Sequence, residues 1–171
     1  MEATLIVPPD NRILYFYRDR EAFAFLSHFH PSPIQLEDDL WPTVEHFYQA
    51  QKSDDPEYRR AIKDARTPGM AKRLAAPPVP KSRVSKKSWF LAHQALPRPD
   101  WHEVKLGIMR RADAAKYSQN SDLAALLLAT GDAELIEDSP FEPFWGIGPD
   151  GKGFNWAGKV LMEVRETLRC K

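Results

Sequence analysis

Fifteen prolines and eight glycines are spread through 171 residues, and they cut the chain into short pieces before any other signal is read. Proline cannot donate to a helix or a sheet ladder, so long regular elements are confined to the stretches between. Residues 41–52, WPTVEHFYQAQK, form the stretch around which the rest is organised. Pro42 fits before or inside a first helical turn, and Thr43 can accept hydrogen bonds from the free N–H groups there. At about 100° per residue, Glu45, Gln49 and Lys52 fall within roughly 60° of one another. Val44, Phe47 and Ala50 fall on the other side, where they can face a core. One short helix thus carries an acid, an amide and an amine in a single stripe. Such a stripe is commonly a solvated surface. The company of Trp41, Phe47 and Tyr48 argues for a site instead.

The length suits one domain, expected to span residues 1–171, with enough chain for a sizeable core. A hydrophobic share of 43% excludes disorder throughout. Lys plus Arg equals Asp plus Glu at 24 each, so general affinity for nucleic acid or an anionic membrane is not expected. The lone cysteine, Cys170, leaves no intramolecular disulfide and no cysteine-based zinc site, and it suits a reducing cytoplasm. The first residues, MEATLIVPPDNR, have an acid at position 2 and a three-residue apolar run, unlike a signal peptide. The longest apolar run, residues 123–129, is far too short for a membrane span.

Short apolar runs at residues 5–7 and 14–17, separated by Pro8-Pro9-Asp10-Asn11, read as strand, turn and strand. Residues 34–36 and 40–41 flank Glu37-Asp38-Asp39 and read as a small hairpin. Asp54 or Asp55 before Pro56 starts a helix over 57–65, and Thr67-Pro68 starts another over 69–75. Three prolines at 77, 78 and 80 precede a basic run (Lys81, Arg83, Lys86, Lys87), then Trp89 and Phe90. This is an excursion loop or a short helix near 88–94. Basic residues beside aromatics could contact phosphate or stacked bases, although a solvated loop is the plainer reading. Asp100 opens the best helix, with Glu103 at capping-box spacing and an apolar stripe of Trp101, Val104, Ile108, Ala112 and Ala115. Ser121 can cap a helix over 122–130 that Gly131 ends, before a short return at Leu135-Ile136. A final helix over 156–168 turns Ala157, Val160, Leu161, Val164 and Leu168 inward. The expected fold is α+β: a mainly α-helical single domain with about six helices and two to four short strands.

Gly146-Ile-Gly148-Pro-Asp-Gly151 formally matches GxGxxG. No strand of a βαβ unit precedes it and no helix opens at its third glycine, so a glycine-rich turn with close backbone approach is the better account. The five histidines contain no HExxH, no GxSxG is present, and nothing in the spacing constrains His28, His30 and His46 to meet as a metal site. Carboxylate chemistry fits better. Glu45 lies in an aromatic setting where desolvation would raise a carboxyl pKa towards the range useful for proton transfer. A second carboxylate could come from Glu137, Asp138 or Glu142, and two carboxylates about a scissile bond serve glycosidic cleavage.

The ordered motifs resemble the NADAR, or YbiA-like, family over nearly the whole chain. Ser27-His28-Phe29 stands in the place of its S-N-F motif, and residues 41–52 in the place of W-x-T-x-E-H-x-x-Q-A-x-K. Ala71-Lys-Arg73, residues 98–105, Met109-Arg110, Thr130-Gly131, residues 135–137, Ser139-Pro140, residues 145–148, residues 155–158 and Leu161-Met162 follow in order. The resemblance implies an N-glycosidase. Some members hydrolyse the N-glycosidic bond of early pyrimidine intermediates of riboflavin synthesis, and others remove ADP-ribose from guanine in nucleic acid. It carries Glu45 over as the principal acid/base, Lys52 as an amine near the anomeric carbon, and Glu142 as a second catalytic carboxylate. His28, Phe29, Gln49, Trp101, Arg110, Trp145, Gly146 and Asn155 become substrate contacts. Trp101 and Trp145 serve as ring platforms, and Arg110 and Asn155 hold phosphate or ribose oxygens. A Schiff base from Lys52 to ring-opened ribose is conceivable. The implied partner is a phosphorylated ribosyl-pyrimidine or an ADP-ribose-type small molecule, with ADP-ribosylated nucleic acid as a further candidate. No metal, cofactor or membrane is implied. Two departures stand out: His28 replaces Asn, and Glu142 replaces the usual Asp. The latter keeps open a non-catalytic module that binds ADP-ribose or a related nucleotide.

Overall fold

The computed structural model describes residues 13–17, 21–78 and 87–170. These carry seven α-helices and four short strands in the order β1 (Ile13–Phe16), a kinked 3-10 helix (Glu21–Leu26), β2 (Ile34–Leu36), β3 (Asp39–Trp41), α1 (Val44–Ala50), α2 (Pro56–Lys63), α3 (Pro68–Leu74), α4 (Trp89–Ala92), α5 (Trp101–Gln119), α6 (Ser121–Ala129), β4 (Glu134–Glu137) and α7 (Trp156–Arg169). The α+β, mainly helical class read from the sequence is the class observed. The expected strand at residues 5–7 and most of the basic run (Lys81, Arg83, Lys86) lie outside the described residues. The chain divides into two compact units, one of Met1–His30 with Asp113–Lys171 and the other of Pro31–Ala112.

In the second unit the hairpin forms as read, with Ile34 opposite Trp41 and Leu36 opposite Asp39. Its turn residues, Glu37 and Asp38, both take positive φ (55° and 62°), the conformation that a two-residue hairpin turn needs. Neither is glycine. The conformation is held by the Glu37 carboxylate, which accepts from Gln51 Nε2 at 3.0 Å, from Arg59 at 2.6 Å and from Arg111. Thr43 caps α1 as expected, its side chain accepting from the His46 amide. Asp55 and Thr67 cap α2 and α3 in the same way, each with proline at the start of the helix. Helix α1 packs on α2, α3 and β3.

In the first unit, β1 pairs in parallel with β4, Ile13 opposite Glu134 and Phe16 opposite Glu137. A parallel pair needs a long connection, and a turn signal next to β1 could not foretell its partner. Leu14, Phe16, Phe25, Leu26, Tyr117, Leu127, Leu135, Ala157, Leu161 and Val164 form the core there. The cap of α6 falls one residue earlier than read: Ser121 is inside the helix, and Asn120 occupies the cap position without a side-chain cap bond. At Asp100 the carboxylate is gripped by Arg98 through Nε at 2.6 Å and Nη2 at 2.9 Å.

Gly158 lets α7 lie against β4, because a Cβ there would collide with the Leu135 carbonyl oxygen. Gly107, by contrast, lies exposed inside α5 with open space where a Cβ would stand. Gly158→Ala should therefore lower the unfolding free energy by about 3 kcal/mol, while Gly107→Ala should raise it by roughly 0.5–1 kcal/mol. Urea unfolding of the two variants checks both signs.

Candidate active site

The sequence reading left α1 between a solvated stripe and a site. Every residue from Val44 to Ala50 is buried, so the stripe is not solvated. Polar groups on such a helix must find partners inside the protein. Glu45 is 5% exposed and its Oε1 accepts from Gln49 Nε2 at 2.8 Å. The i, i+4 spacing places the two side chains one above the other. Gln49 Oε1 is buried and has no hydrogen-bond partner among the described residues. The pair is therefore half satisfied: a carboxylate fixed by one amide donor, and an amide oxygen able to accept a donor from elsewhere.

The surroundings hold that pair still. Tyr58 donates from its hydroxyl to the Gln49 carbonyl at 2.7 Å. His46 uses both ring nitrogens, Nδ1 with Thr43 Oγ1 at 2.8 Å and Nε2 with the Ala65 carbonyl at 3.0 Å. Burial holds its pKa below the usual histidine value. Lys52 lies beyond the end of α1, its Nζ donating to the Ala75 carbonyl at 3.1 Å and standing 5.5 Å from the centre of the Trp101 ring. Trp101 is half-buried and packs on Tyr48 with ring centres 4.9 Å apart. Arg110 is exposed on α5. So Glu45, Gln49, Lys52 and Trp101 share one unit.

His28, Phe29, Glu142, Trp145, Gly146 and Asn155 belong to the other unit. His28 is buried at the end of the 3-10 helix. Its Nε2 lies 3.0 Å from Asp113 Oδ2, and its ring meets Trp145 edge-on at 6.3 Å. Burial alone would lower the His28 pKa; the attraction and hydrogen bond of Asp113, helped by Glu137, more than offset this and raise it above the ordinary histidine value. The Phe29 amide donates to Ser27 Oγ at 3.1 Å. Lys116 is wholly buried, donating to the Phe25 and Ser27 carbonyls at 2.6 and 2.9 Å, and burial pushes its amine down to about 8.

The glycine-rich turn does bring backbone close, and what it approaches is its own chain. A Cβ on Gly146 would stand 2.6 Å from the Glu137 carbonyl oxygen, and one on Gly153 would collide with the Gly146 oxygen. Backbone bonds from Gly146 to Glu142 (3.1 Å), Ile147 to Glu137 (3.0 Å) and Phe154 to Pro143 (2.7 Å) stitch the turn shut. Half-buried Trp145 is carried on it. Glu142 Oε1 accepts from the Phe144 amide at 3.1 Å, folding back on its own loop. Asn155, expected from the resemblance to hold phosphate or ribose oxygens, bonds to β4 with both ends of its amide. Its Oδ1 accepts from the Glu137 amide at 2.9 Å and its Nδ2 donates to the Leu135 carbonyl at 2.8 Å. The sequence reading also missed Asp113 and Lys116. Their signal was two charged residues set among the buried Ala112 and Ala115 on α5.

The NADAR domain family model matches residues 15–169, and the chain belongs to that family. It is 39% identical to an N-glycosidase of Nostoc punctiforme over 159 residues, covering 91% of this chain and 92% of that protein. It is 37% identical to N-glycosidase YbiA of Escherichia coli, covering 92% and 89%. The solved NMR structure of E. coli YbiA superposes with a TM-score of 0.76 at 36% identity, over 94% of this chain and 86% of that one. A riboflavin biosynthesis protein of Vibrio vulnificus is 38% identical over 91% of this chain, and the chain spans only 38% of that protein's length. No helix among the described residues is long and apolar enough to cross a membrane.

Asn155 takes left-handed φ and ψ (52°, 41°) at the start of α7 and supplies both bonds to β4. Asn155→Ala should cost roughly 2–4 kcal/mol of stability, and Asn155→Gly should recover only the backbone part, about 1 kcal/mol. Thermal unfolding of the two variants separates the contributions.

Proposed function

We propose that this chain is an N-glycosidase that hydrolyses the bond between a ribose C1′ and a nitrogen. The substrate is either a phosphoribosylamino-pyrimidine intermediate of riboflavin synthesis or ADP-ribosylated guanine of nucleic acid. The observation that carries the reading is Glu45: a buried carboxylate on a helix without a solvent face, held by one amide donor. The kinship with proteins named N-glycosidases supports it. A carboxylate so placed can stabilise positive charge developing at C1′ and take a proton from the attacking water. The unpartnered Gln49 Oε1 can accept from a sugar hydroxyl. Lys52, held near Trp101, is the amine assigned to the anomeric carbon. Trp101 and Trp145 are assigned as ring platforms, with His28, Phe29 and Arg110 as further substrate contacts. Gly146 and Asn155 act through the backbone they shape. A zero net charge and the riboflavin-related name of one relative favour the small phosphorylated metabolite. A cytoplasmic setting belongs to the same proposal and rests on the single cysteine.

The competing reading is a module that binds ADP-ribose or a related nucleotide without turnover. It draws on Glu142, whose carboxylate is engaged by its own loop at the Phe144 amide. A paired assay without added metal decides. Ribose 5-phosphate released from the ribosylamino-pyrimidine phosphate assigns the metabolite, and ADP-ribose released from a modified oligonucleotide assigns nucleic acid. Silence in both arms with ADP-ribose still bound assigns the binding module. Glu45→Gln should abolish turnover and leave the melting temperature near that of the parent, since shape is kept and the titratable proton removed. Surviving turnover would remove Glu45 from the mechanism. Trp145→Ala should weaken substrate affinity by roughly 1–3 kcal/mol if a base stacks there, as read by isothermal titration; an unchanged constant would return it to packing.

A further inference from the structure

Asp113 is wholly buried, and a buried carboxylate is costly unless it is paired and hydrogen-bonded. Its Oδ2 meets His28 Nε2, while Oδ1 has no hydrogen-bond partner among the described residues. The neighbouring cation does not supply the missing bond, because Lys116 directs its amine at the Phe25 and Ser27 carbonyls. Anchoring the 3-10 helix does not explain the pair either. Lys116 and the Tyr117 hydroxyl (3.1 Å to the Phe25 carbonyl) already do that. What His28 adds is a contact with the edge of Trp145, on a ring that Phe144 also meets edge-on at 4.9 Å. An asparagine at position 28, as in the family's S-N-F motif, would need no buried acid behind it, and neither would a neutral imidazole such as His46; an imidazolium does.

We propose that Asp113 is a positioning residue: through its buried bond to His28 it seats Trp145, and it ties substrate affinity to the protonation of that imidazole. This rests on Trp145 being a substrate contact, as proposed above. The groups facing His28 are Asp113 and Lys116 from α5, Glu137 from β4 and the Trp145 ring from the glycine turn, with His30 two residues along the chain. The two carboxylates favour the imidazolium; burial and Lys116 oppose it, and the carboxylates prevail. The charged pair is therefore intact below about pH 6.5 and is lost as pH rises through the higher pKa of folded His28. Affinity should fall in the same interval.

The test has two arms on the full chain. In the first, KM for the ribosylamino-pyrimidine phosphate is followed from acid to alkaline pH. The parent should show KM rising through a step above pH 6.5. Asp113→Asn should move that step to lower pH and raise KM at neutral pH by about tenfold, the worth of one charge-assisted hydrogen bond, with a smaller effect on kcat. His28→Asn should fold, since it restores the residue usual in the family, and should remove the step. A step that persists in His28→Asn belongs to another group, Lys116 or the substrate's own phosphate, and overturns the proposal, as does a profile that Asp113→Asn leaves unchanged. The second arm needs no substrate. In NMR spectra of the free protein, the Trp145 indole N–H, assigned through Trp145→Phe, should shift with the His28 titration and lose that shift in His28→Asn. If neither substrate is turned over, the activity reading fails and this arm alone decides: an indole signal indifferent to His28 overturns the coupling.

Discussion

Helix α1 has no solvent face, and this single constraint governs much of the unit that contains it. A buried helix can pack only if its polar side chains are satisfied from within. His46 is satisfied by a threonine hydroxyl on one side and a carbonyl on the other, and the Gln49 carbonyl by Tyr58. The elements supplying these partners are the ones next to α1: its own cap, the first turn of α2 and the segment leading into α3. Only Glu45 and Gln49 depart from the rule. They satisfy each other once and leave an acceptor over. On α1 it is therefore Gln49 Oε1 that stays open to a donor from elsewhere.

The other unit solves a different problem. A parallel two-stranded sheet with partners from distant parts of the chain has little intrinsic stability. It is held by elements that cross it. Asn155 clamps β4 with both ends of its amide, Gly158 lets α7 close on the same strand, and the Asp138 amide extends the ladder to the Phe16 carbonyl at 2.9 Å. The glycine turn is sewn to β4 and to the start of α7 by backbone bonds, so Trp145 is carried on a fixed support rather than a loose loop. Buried charge recurs on α5, where Asp113 and Lys116 stand one turn apart and each meets the segment around Ser27.

Several elements were legible because their signals are local. Caps at Thr43, Asp55 and Thr67, prolines just inside helices, and alternating apolar residues act within one or two turns. The hairpin at 34–41 was legible for the same reason, although Glu37, unlike Asp38, is a poor residue for a left-handed turn position by propensity. The support for Glu37 comes from Arg59 and Arg111, and the latter lies 74 positions away. The cap of α6 was misplaced by one residue because serine and asparagine stand side by side and propensity does not choose between them. In the candidate site, the Glu45–Gln49 contact followed from helical spacing, whereas Lys52 was expected in the same stripe and lies beyond the helix, turned to Ala75 and Trp101.

By itself the sequence determined the family, the helical class and the chemistry-bearing stripe of α1, because ordered motifs and i, i+4 spacing survive without knowledge of what packs where. Tertiary structure decided the rest. It buried Glu45 and Gln49 rather than leaving them solvated, engaged both ends of the Asn155 amide with β4, and gave His28 a carboxylate partner 85 residues away. Burial and long-range pairing are properties of the packed chain, and local propensity cannot specify them: the same side chain is a solvated surface group or a constrained reactive one according to what covers it.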